Sequence, residues 1–253
     1  MEQDWRTRTE LLIGEQAISK LQNSHVLVAG LGGVGSFAAE QLARAGVGKL
    51  TIVDGDTVHL SNRNRQLPAL VSTQGIAKTE VMANRLRDIN PDIELIIVPH
   101  YIKDELLIEV VQQPYDYVID AIDTLAPKVF LLYYAHQFGL KVVSSMGAGG
   151  KLDPEQIKVV DISHTQQCRL AYYIRKKLHK LGIWSGITAV YSTEVVSRTS
   201  IKYESGEFNK RSTVGTISYM PAMFGVFCAS VVLRGLISEG PDLTDAFSFS
   251  KST

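Results

Sequence analysis

Residues 25–36, HVLVAGLGGVGS, constrain the fold of this chain more than any other stretch. The apolar run at 26–29 predicts a strand buried in a parallel sheet. The glycines that follow are Gly30, Gly32, Gly33 and Gly35. Their spacing lets the backbone turn sharply and approach a ligand, and a helix beginning near residue 37 would direct its N-terminal amides at an anion. The stretch therefore predicts a nucleotide-binding strand, turn and helix.

A second apolar run, residues 50–53, ends at Asp54, roughly 20 residues after the glycine turn. A carboxylate at this place in a dinucleotide-binding unit hydrogen-bonds a ribose. Glycine-rich turns also occur for packing reasons alone, so the nucleotide interpretation depends on this acidic residue. Both an NAD-dependent oxidoreductase and an ATP-using enzyme fit these two features.

Strands and helices alternate through the first half of the chain. Apolar runs predict strands at 49–53, 93–98, 115–122 and 142–146, with helices at 37–45, from 78 onward, at 103–112 and at 127–138. A strand–helix–strand unit with a right-handed crossover is the first half of a doubly wound sheet. We therefore expect an α/β protein with a doubly wound, mostly parallel, Rossmann-like sheet and a C-terminal α/β extension.

The chain is expected to divide into four parts. They are an N-terminal arm and lead-in helix (1–24), a nucleotide-binding domain (25–150), an extension with substrate or dimer contacts (151–245) and a disordered tail (246–253). In the extension we predict strands at 158–162 and 186–192, a basic helix at 169–180, a mobile polar excursion at 198–213 and an apolar helix at 221–237. The apolar helix is expected to be core or a dimer contact, with membrane association a minor alternative.

The segment between residues 54 and 78 lacks clear periodicity, and loops of that length inside a compact domain are usually functional. It carries Asn62 and Arg65 and ends at Lys78. This much positive charge beside a glycine turn suits a polyphosphate better than a nicotinamide cofactor. Asp123 follows the fourth strand, so it should border the same crevice as Asp54 and suits a magnesium ion.

The formal charges balance, with 26 Lys and Arg against 26 Asp and Glu, so any contact with RNA must be local. The basic helix at 169–180 offers such a face, although a merely solvated helix surface fits equally well. Cys168 and Cys228 are far apart and outside any CxxC pair, which favours a reducing cytoplasm. The terminal arm contains Arg8, which is either solvated or reaches into a site.

Five motifs in order, GLGGVGS, VDGD, SNRNRQ, GIAK and DAIDT, resemble those of the adenylating enzymes of the ubiquitin-activating superfamily, over about residues 5–150. Further details, including RTELLIG, GAGGKLDP and VYSTE, resemble the tRNA threonylcarbamoyladenosine dehydratase branch through most of the chain. Two features depart from that pattern: Cys168 stands where a small or acidic residue is expected, and the segment WSGITAV diverges.

The resemblance implies a role for each candidate residue. Gly30, Gly32, Gly33 and Gly35 would cradle ATP, Asp54 would bind its ribose, Asn62, Arg65 and Lys78 would surround the triphosphate, Asp123 would act with Mg²⁺, and Arg8 would reach into the partner's site of a homodimer. It also implies a cytoplasmic enzyme that adenylates the carboxylate of threonylcarbamoyladenosine in tRNA and promotes its cyclisation. A cysteine desulfurase is a possible partner, and no DNA contact is expected.

Three rival functions remain open at this point. An enzyme that activates the C-terminus of a small ubiquitin-like sulfur carrier would use the same chemistry, but its paired CxxC motifs and later catalytic cysteine are missing. An NAD-dependent oxidoreductase gives no role to Arg65 and Lys78. A non-catalytic adaptor predicts that those cations are dispensable.

Overall fold

The computed structural model describes residues 4–203 and 212–238, and a seven-stranded sheet organises them. The strands are β1 (His25–Ala29), β2 (Lys49–Val53), β3 (Glu94–Val98), β4 (Tyr117–Asp120), β5 (Val142–Ser145), β6 (Ile157–Asp161), β7 (Thr188–Ser192), β8 (Ile201–Tyr203) and β9 (Ser212–Val214). The large sheet has the order β3-β2-β1-β4-β5-β7-β6, and only β6 runs antiparallel to its neighbour. The predicted fold class is therefore confirmed.

The helices form a layer on each side of this sheet. They are α1 (Thr7–Ile13), α2 (Glu15–Gln22), α3 (Gly35–Arg44), α4 (Lys78–Ile89), α5 (Asp104–Val111), α6 (Leu125–Gln137), α7 (Arg169–Lys180) and α8 (Tyr219–Ile237). One apolar core joins α2, α3, α4 and α8 to the sheet, and the other joins α5, α6 and α7 to its opposite face. Helices on both faces are what a doubly wound sheet requires.

The central strand β1 shows how its sequence specifies both layers at once. Val26 and Val28 belong to the first core, while Leu27 and Ala29 belong to the second. Side chains alternate between the faces of a strand, so a continuous apolar run is buried on both sides. The strand order reverses between β1 and β4, and ligands of such sheets bind at the carboxyl ends of the strands there.

Two parts of the sequence prediction need correction. The single lead-in helix expected within residues 1–24 is two helices, because Gly14 has a φ of +83° and interrupts the helical backbone. The stretch 198–213, predicted as a mobile excursion, contains the paired strands β8 and β9. Residues 204–211 and the predicted disordered tail at 246–253 lie outside the described residues.

The strands predicted for the extension join the main sheet, because β7 pairs with β5 and β6 pairs with β7. The apolar helix α8 packs against α3 and against the face of the sheet that α3 also covers, with Phe224, Cys228 and Val232 fully buried. Among the described residues α8 is the one helix long and apolar enough to cross a membrane, judged by length and composition alone. Its burial shows that it serves as a core helix in this fold.

Gly225 lets α8 approach α3 closely, since a Cβ at this position would overlap the carbonyl oxygen of Val34. We expect Gly225→Ala to lower the free energy of unfolding by about 1–3 kcal/mol, as overpacking outweighs the better helix propensity of alanine. Urea denaturation measures this change. Val226→Ala on the same helix, at a position 37% exposed, is the control and should lose less than about 1 kcal/mol. A Gly225→Ala protein as stable as wild type would contradict the close packing.

Candidate active site

The glycine turn after β1 passes between the ends of β2 and β4. The Gly30 amide donates to the carbonyl oxygen of Val53 at 2.8 Å, which ties the turn to the end of β2. Gly30 has a φ of +92°, and a Cβ there would lie 2.8 Å from the carbonyl oxygen of Ala121, just beyond β4. Only glycine combines this backbone conformation with this close approach.

The remaining glycines divide into packed and open positions. A Cβ at Gly35 would overlap the Gly30 carbonyl oxygen, and one at Gly33 would lie 2.9 Å from the Pro221 side chain. At Gly32 the nearest atom is Nε2 of Gln66, at 3.7 Å. The buried Oε1 of Gln66 has no hydrogen-bond partner among the described residues. Gly32 is therefore the open position of the turn, and the Gln66 side chain lies beside it.

Asp54 lies directly below this turn, at the end of β2. Its carboxylate accepts hydrogen bonds from the amides of Leu31 at 2.7 Å and Asp56 at 2.8 Å, and the side chain is 9% exposed. Burial raises the pKa of Asp54, against the lowering effect of Lys78 and the two amides. The carboxylate is thus held rigidly at the position expected for a ribose-binding group.

Lys78 begins α4 and is almost completely buried at this edge of the sheet. Its Nζ lies 2.7 Å from Oδ2 of Asp56 and 3.9 Å from Oδ1 of Asp54. The hydroxyl of Tyr101 donates to the other oxygen of Asp56. That hydrogen bond, together with burial, raises the pKa of Tyr101 to about 12. A cation shared between two carboxylates is therefore part of the site before any phosphate arrives.

Asp56 and Tyr101 were not among the residues predicted from sequence. Asp56 lies in the VDGD turn, so its place beside Asp54 was a usable signal. Tyr101 follows β3, and no pattern marks it. It reaches the site because its ring lies over Gly55, where a Cβ would come within 2.7 Å of the ring.

Arg65 and Asn62 belong to the loop that covers the glycine turn. The carbonyl oxygen of Arg65 would lie 3.3 Å from a Cβ at Gly33, so the two segments are in contact. The guanidinium donates to Ser61 O at 3.0 Å and to Asn64 Oδ1 at 2.8 Å. Asn62 accepts from the amide of His59 at 3.0 Å. The structure therefore brings Arg65 to the glycine turn, and Asn62 stands three residues earlier in the same loop.

Asp123 is exposed in the loop after β4, on the same edge of the sheet as Asp54. Its negative charge is the smallest of the contributions that raise the pKa of Tyr101. Within residues 4–203 and 212–238, no group of three or more His, Cys, Asp or Glu side chains could hold a metal ion. A magnesium ion at Asp123 would therefore need phosphate oxygens among its ligands, which is its usual mode in nucleotide sites.

A buried ion pair fixes the loop that carries Asp123. Lys128 Nζ lies 2.7 Å from Oδ2 of Asp120, and both side chains are fully buried. Ser144 donates to the same carboxylate oxygen at 2.6 Å. Lys128 also donates to the carbonyl oxygen of Ile122 at 3.1 Å, and the amide of Ile122 donates to Asp120 at 3.2 Å. Asp120 is thus a structural partner of α6 rather than a ligand-binding group.

Arg8 is the predicted site residue that the structure leaves apart from the others. It is exposed on α1, and Arg6 nearby packs at Gly46, with Cδ 3.3 Å from the Cβ position there. Gly46 precedes β2, so it lies at the opposite end of that strand from Asp54. Within one protomer, no contact found among the described residues joins Arg8 to the site.

Comparison with known proteins gives three informative similarities. The model of the ThiF family matches residues 7–251. The tRNA threonylcarbamoyladenosine dehydratase of Bacillus subtilis is 40% identical over 241 residues, covering 94% of this chain and 93% of the relative. The crystal structure of the Escherichia coli enzyme of that name, TcdA, in complex with ATP superimposes with a TM-score of 0.84 at 36% identity, covering 92% of this chain and 95% of that one. The E. coli sulfur carrier protein ThiS adenylyltransferase is 38% identical, but over 154 residues, or 58% of this chain and 60% of its own.

The buried pair of Lys128 and Asp120 generates a stability prediction. Lys128→Met leaves an uncompensated buried carboxylate, so we expect it to cost about 3–5 kcal/mol of unfolding free energy. Combining it with Asp120→Asn should recover most of that loss, because the unpaired charge is then absent. Chemical denaturation of both single variants and the double variant measures the coupling. Additive losses in the double variant would contradict the pairing.

Proposed function

The chain belongs to the ThiF family, and we propose that it works as an ATP-dependent tRNA threonylcarbamoyladenosine dehydratase. One observation carries the proposal: the glycine turn, Asp54 and Lys78 converge at the carboxyl ends of β1 and β2. The chain that holds this site matches enzymes of this name along more than nine-tenths of its length. The match with the activator of a sulfur carrier covers a smaller share of both chains, which supports shared adenylation chemistry rather than a carrier substrate.

The reaction must make an inert acid reactive. A carboxylate repels nucleophiles and has no adequate leaving group, so its oxygen first attacks the α-phosphorus of ATP and pyrophosphate departs. The resulting mixed anhydride with AMP is then attacked from within the same modified nucleoside. AMP leaves, a ring closes, and the net change in the nucleoside is the loss of water. ATP supplies the driving force and the leaving group.

The residues of the site have distinct parts in the first step. The glycine turn binds the phosphates, and Asp54 hydrogen-bonds the ribose. Lys78 and Arg65 offset the negative charge that grows on the phosphates in the transition state. Binding of a triphosphate would exchange the Asp56 partner of Lys78 for a phosphate oxygen. Asn62 would hold the same phosphates, and Asp123 would supply the protein ligand to Mg²⁺, whose other ligands are phosphate oxygens and water.

Ring closure needs no nucleophile from the enzyme, since an intramolecular attack already has a high effective molarity. The cysteines agree with this. Burial raises the pKa of Cys228 to about 12, so its thiolate is not available at neutral pH. Cys168 is 8% exposed, at the start of α7. We therefore assign neither cysteine a catalytic role.

We further propose that the enzyme is a cytoplasmic homodimer in which Arg8 enters the partner's site. Arg8 is exposed and remote from its own site, and α1 presents Leu11 and Leu12, each more than four-fifths exposed, next to it. Apolar side chains at this exposure favour a protein contact. A cytoplasmic location fits the substrate tRNA and ATP.

The cationic groups give the first test of the proposed activity. We expect Lys78→Ala and Arg65→Ala each to reduce the rate of dehydration at least about 100-fold, because preorganised charge at the phosphates is lost. ATP–pyrophosphate exchange measures the first step, and mass spectrometry of tRNA nucleosides measures the product.

Lys103→Ala, which alters an exposed lysine of the α5 N-terminus, is the matched control and should keep wild-type rates. Cys168→Ala should also remain active, whereas an enzyme that works through a thioester would lose activity. Wild-type turnover by both Lys78→Ala and Arg65→Ala would reject the site.

Mixing two inactive variants tests the position of Arg8. In a dimer of Arg8→Ala with Lys78→Ala, one site has its own Lys78 and receives Arg8 from the other protomer. Random pairing of equal amounts should then restore about a quarter of the wild-type rate, since half of the dimers are mixed and each has one intact site. No recovery, in a mixture shown by mass to exchange subunits, would mean that Arg8 acts within its own protomer, and an active Arg8→Ala variant would mean that it has no role in the reaction.

A further inference from the structure

Charge is distributed unevenly in this electrically balanced chain. Residues 162–193 contain five Lys and Arg and not one Asp or Glu, although the whole chain has 26 of each class. Helix α6, which packs against α7, also lacks acidic residues. Helix α7 therefore carries a local concentration of positive charge that the overall balance conceals.

Helix α7 turns its cations outward. Ala171, Ile174 and Leu178 are buried against the sheet. The exposed residues are Arg169, Tyr172, Tyr173, Lys176, Lys177 and Lys180, and we call this set the α7 face. It extends about 16 Å along the helix, at 1.5 Å per residue. No salt bridge found among the described residues involves Lys176, Lys177 or Lys180.

Aromatic rings lie among these charges and are unusually exposed. Tyr172 is 52% exposed, Tyr173 is 41% exposed, and Trp184, just beyond the helix, is 64% exposed. The guanidinium of Arg169 lies 5.8 Å from the ring centre of Tyr173, and His179 stacks on Trp184 with ring centres 4.2 Å apart. Cations interleaved with exposed rings bind single-stranded nucleic acid, where bases stack on the rings and phosphates meet the charges.

The α7 face begins at the edge of the sheet that holds the active site. Leu170 packs at Gly147, with its Cβ 3.9 Å from the Cβ position there, and Gly147 follows the carboxyl end of β5. An RNA lying along the face would therefore have one end beside the nucleotide site. By contrast, Arg175 donates to the carbonyl oxygen of Thr165 at 3.0 Å and holds the preceding loop, so it is not part of the face.

We propose that the α7 face and Trp184 bind the anticodon stem and loop of the substrate tRNA, with the lysines on phosphates and the rings on unpaired bases. This inference rests on the proposed function, because it assigns a surface to that enzyme's own substrate. The occupant is RNA rather than a lipid surface, because the substrate of the proposed enzyme is a tRNA and the lysines of the face lie among exposed rings. The proposal predicts that a mutation in the α7 face weakens tRNA binding without changing ATP binding.

The charge test compares two double variants. The double variant Lys176→Glu, Lys177→Glu should bind unmodified tRNA at least tenfold more weakly. The slope of log Kd against log salt concentration should fall by about two, one for each phosphate that no longer contacts a lysine. The affinity for ATP should not change. Arg87→Glu with Lys103→Glu makes the same charge change at exposed positions of α4 and α5 and should bind tRNA like wild type.

The stacking test uses the two tryptophans of the chain. Trp184→Ala should weaken binding of an isolated anticodon stem–loop about tenfold without altering the salt slope, as loss of a stacking ring does. Trp5→Ala, which removes an exposed ring from the terminal arm, is the control and should not affect this affinity.

Four results would overturn the proposal. Two of them concern tRNA affinity: wild-type affinity in the Lys176/Lys177 double variant, or an equal loss of affinity in the Arg87/Lys103 control. The third is a change in the molecular mass of the Lys176/Lys177 double variant, which would mark the face as a contact between protomers. The fourth is that this variant loses binding only to vesicles of phosphatidylglycerol. The proposed function fails differently: wild-type protein would then bind tRNA and ATP yet yield no dehydrated nucleoside.

Discussion

The close approach of the glycine turn to the ends of β2 and β4 is the constraint on which the rest of the site depends. Because Gly30 has no Cβ, its amide reaches Val53 and its backbone passes Ala121, so the two flanking loops meet the turn. The Leu31 amide then meets the Asp54 carboxylate at 2.7 Å. A side chain at Gly30 would separate these loops, and the glycine turn and Asp54 would no longer share one crevice.

Charge around this crevice is balanced before the ligand arrives. Lys78 is nearly buried between Asp54 and Asp56, and an unpaired buried ammonium would cost several kcal/mol. The two carboxylates avoid that cost and keep Lys78 in place. Tyr101 adds a hydrogen bond to Asp56, so that carboxylate would keep one partner if Lys78 exchanged it for a phosphate, as we propose. Holding a cation in this way preorganises it for a polyanion, which is how such sites stabilise charge in a transition state.

Sequence reasoning predicted the parts of the fold and the site that depend on local order along the chain. The glycine spacing, Asp54 at the end of a strand and Lys78 at the start of a helix each have a fixed relation to one element. Tyr101 and the pairing of Lys128 with Asp120 depend on which elements become neighbours, and no local pattern encodes that. The break at Gly14 was missed because apolar spacing continues across it, although the backbone turns there.

The position of the α7 face follows from the topology. The right-handed crossovers place α6 and α7 together on one face, and both helices lack carboxylates. The acidic residues of the same layer are on α5, which carries Asp104, Glu105 and Glu109 on the far side of α6 from α7. A chain of zero formal charge can thus present the cationic α7 face to a polyanion, although its net charge does not attract nucleic acid in general. In the proposed tRNA complex, selectivity for one RNA over others would come from the rings and from the fit of a single modified nucleoside beside the glycine turn.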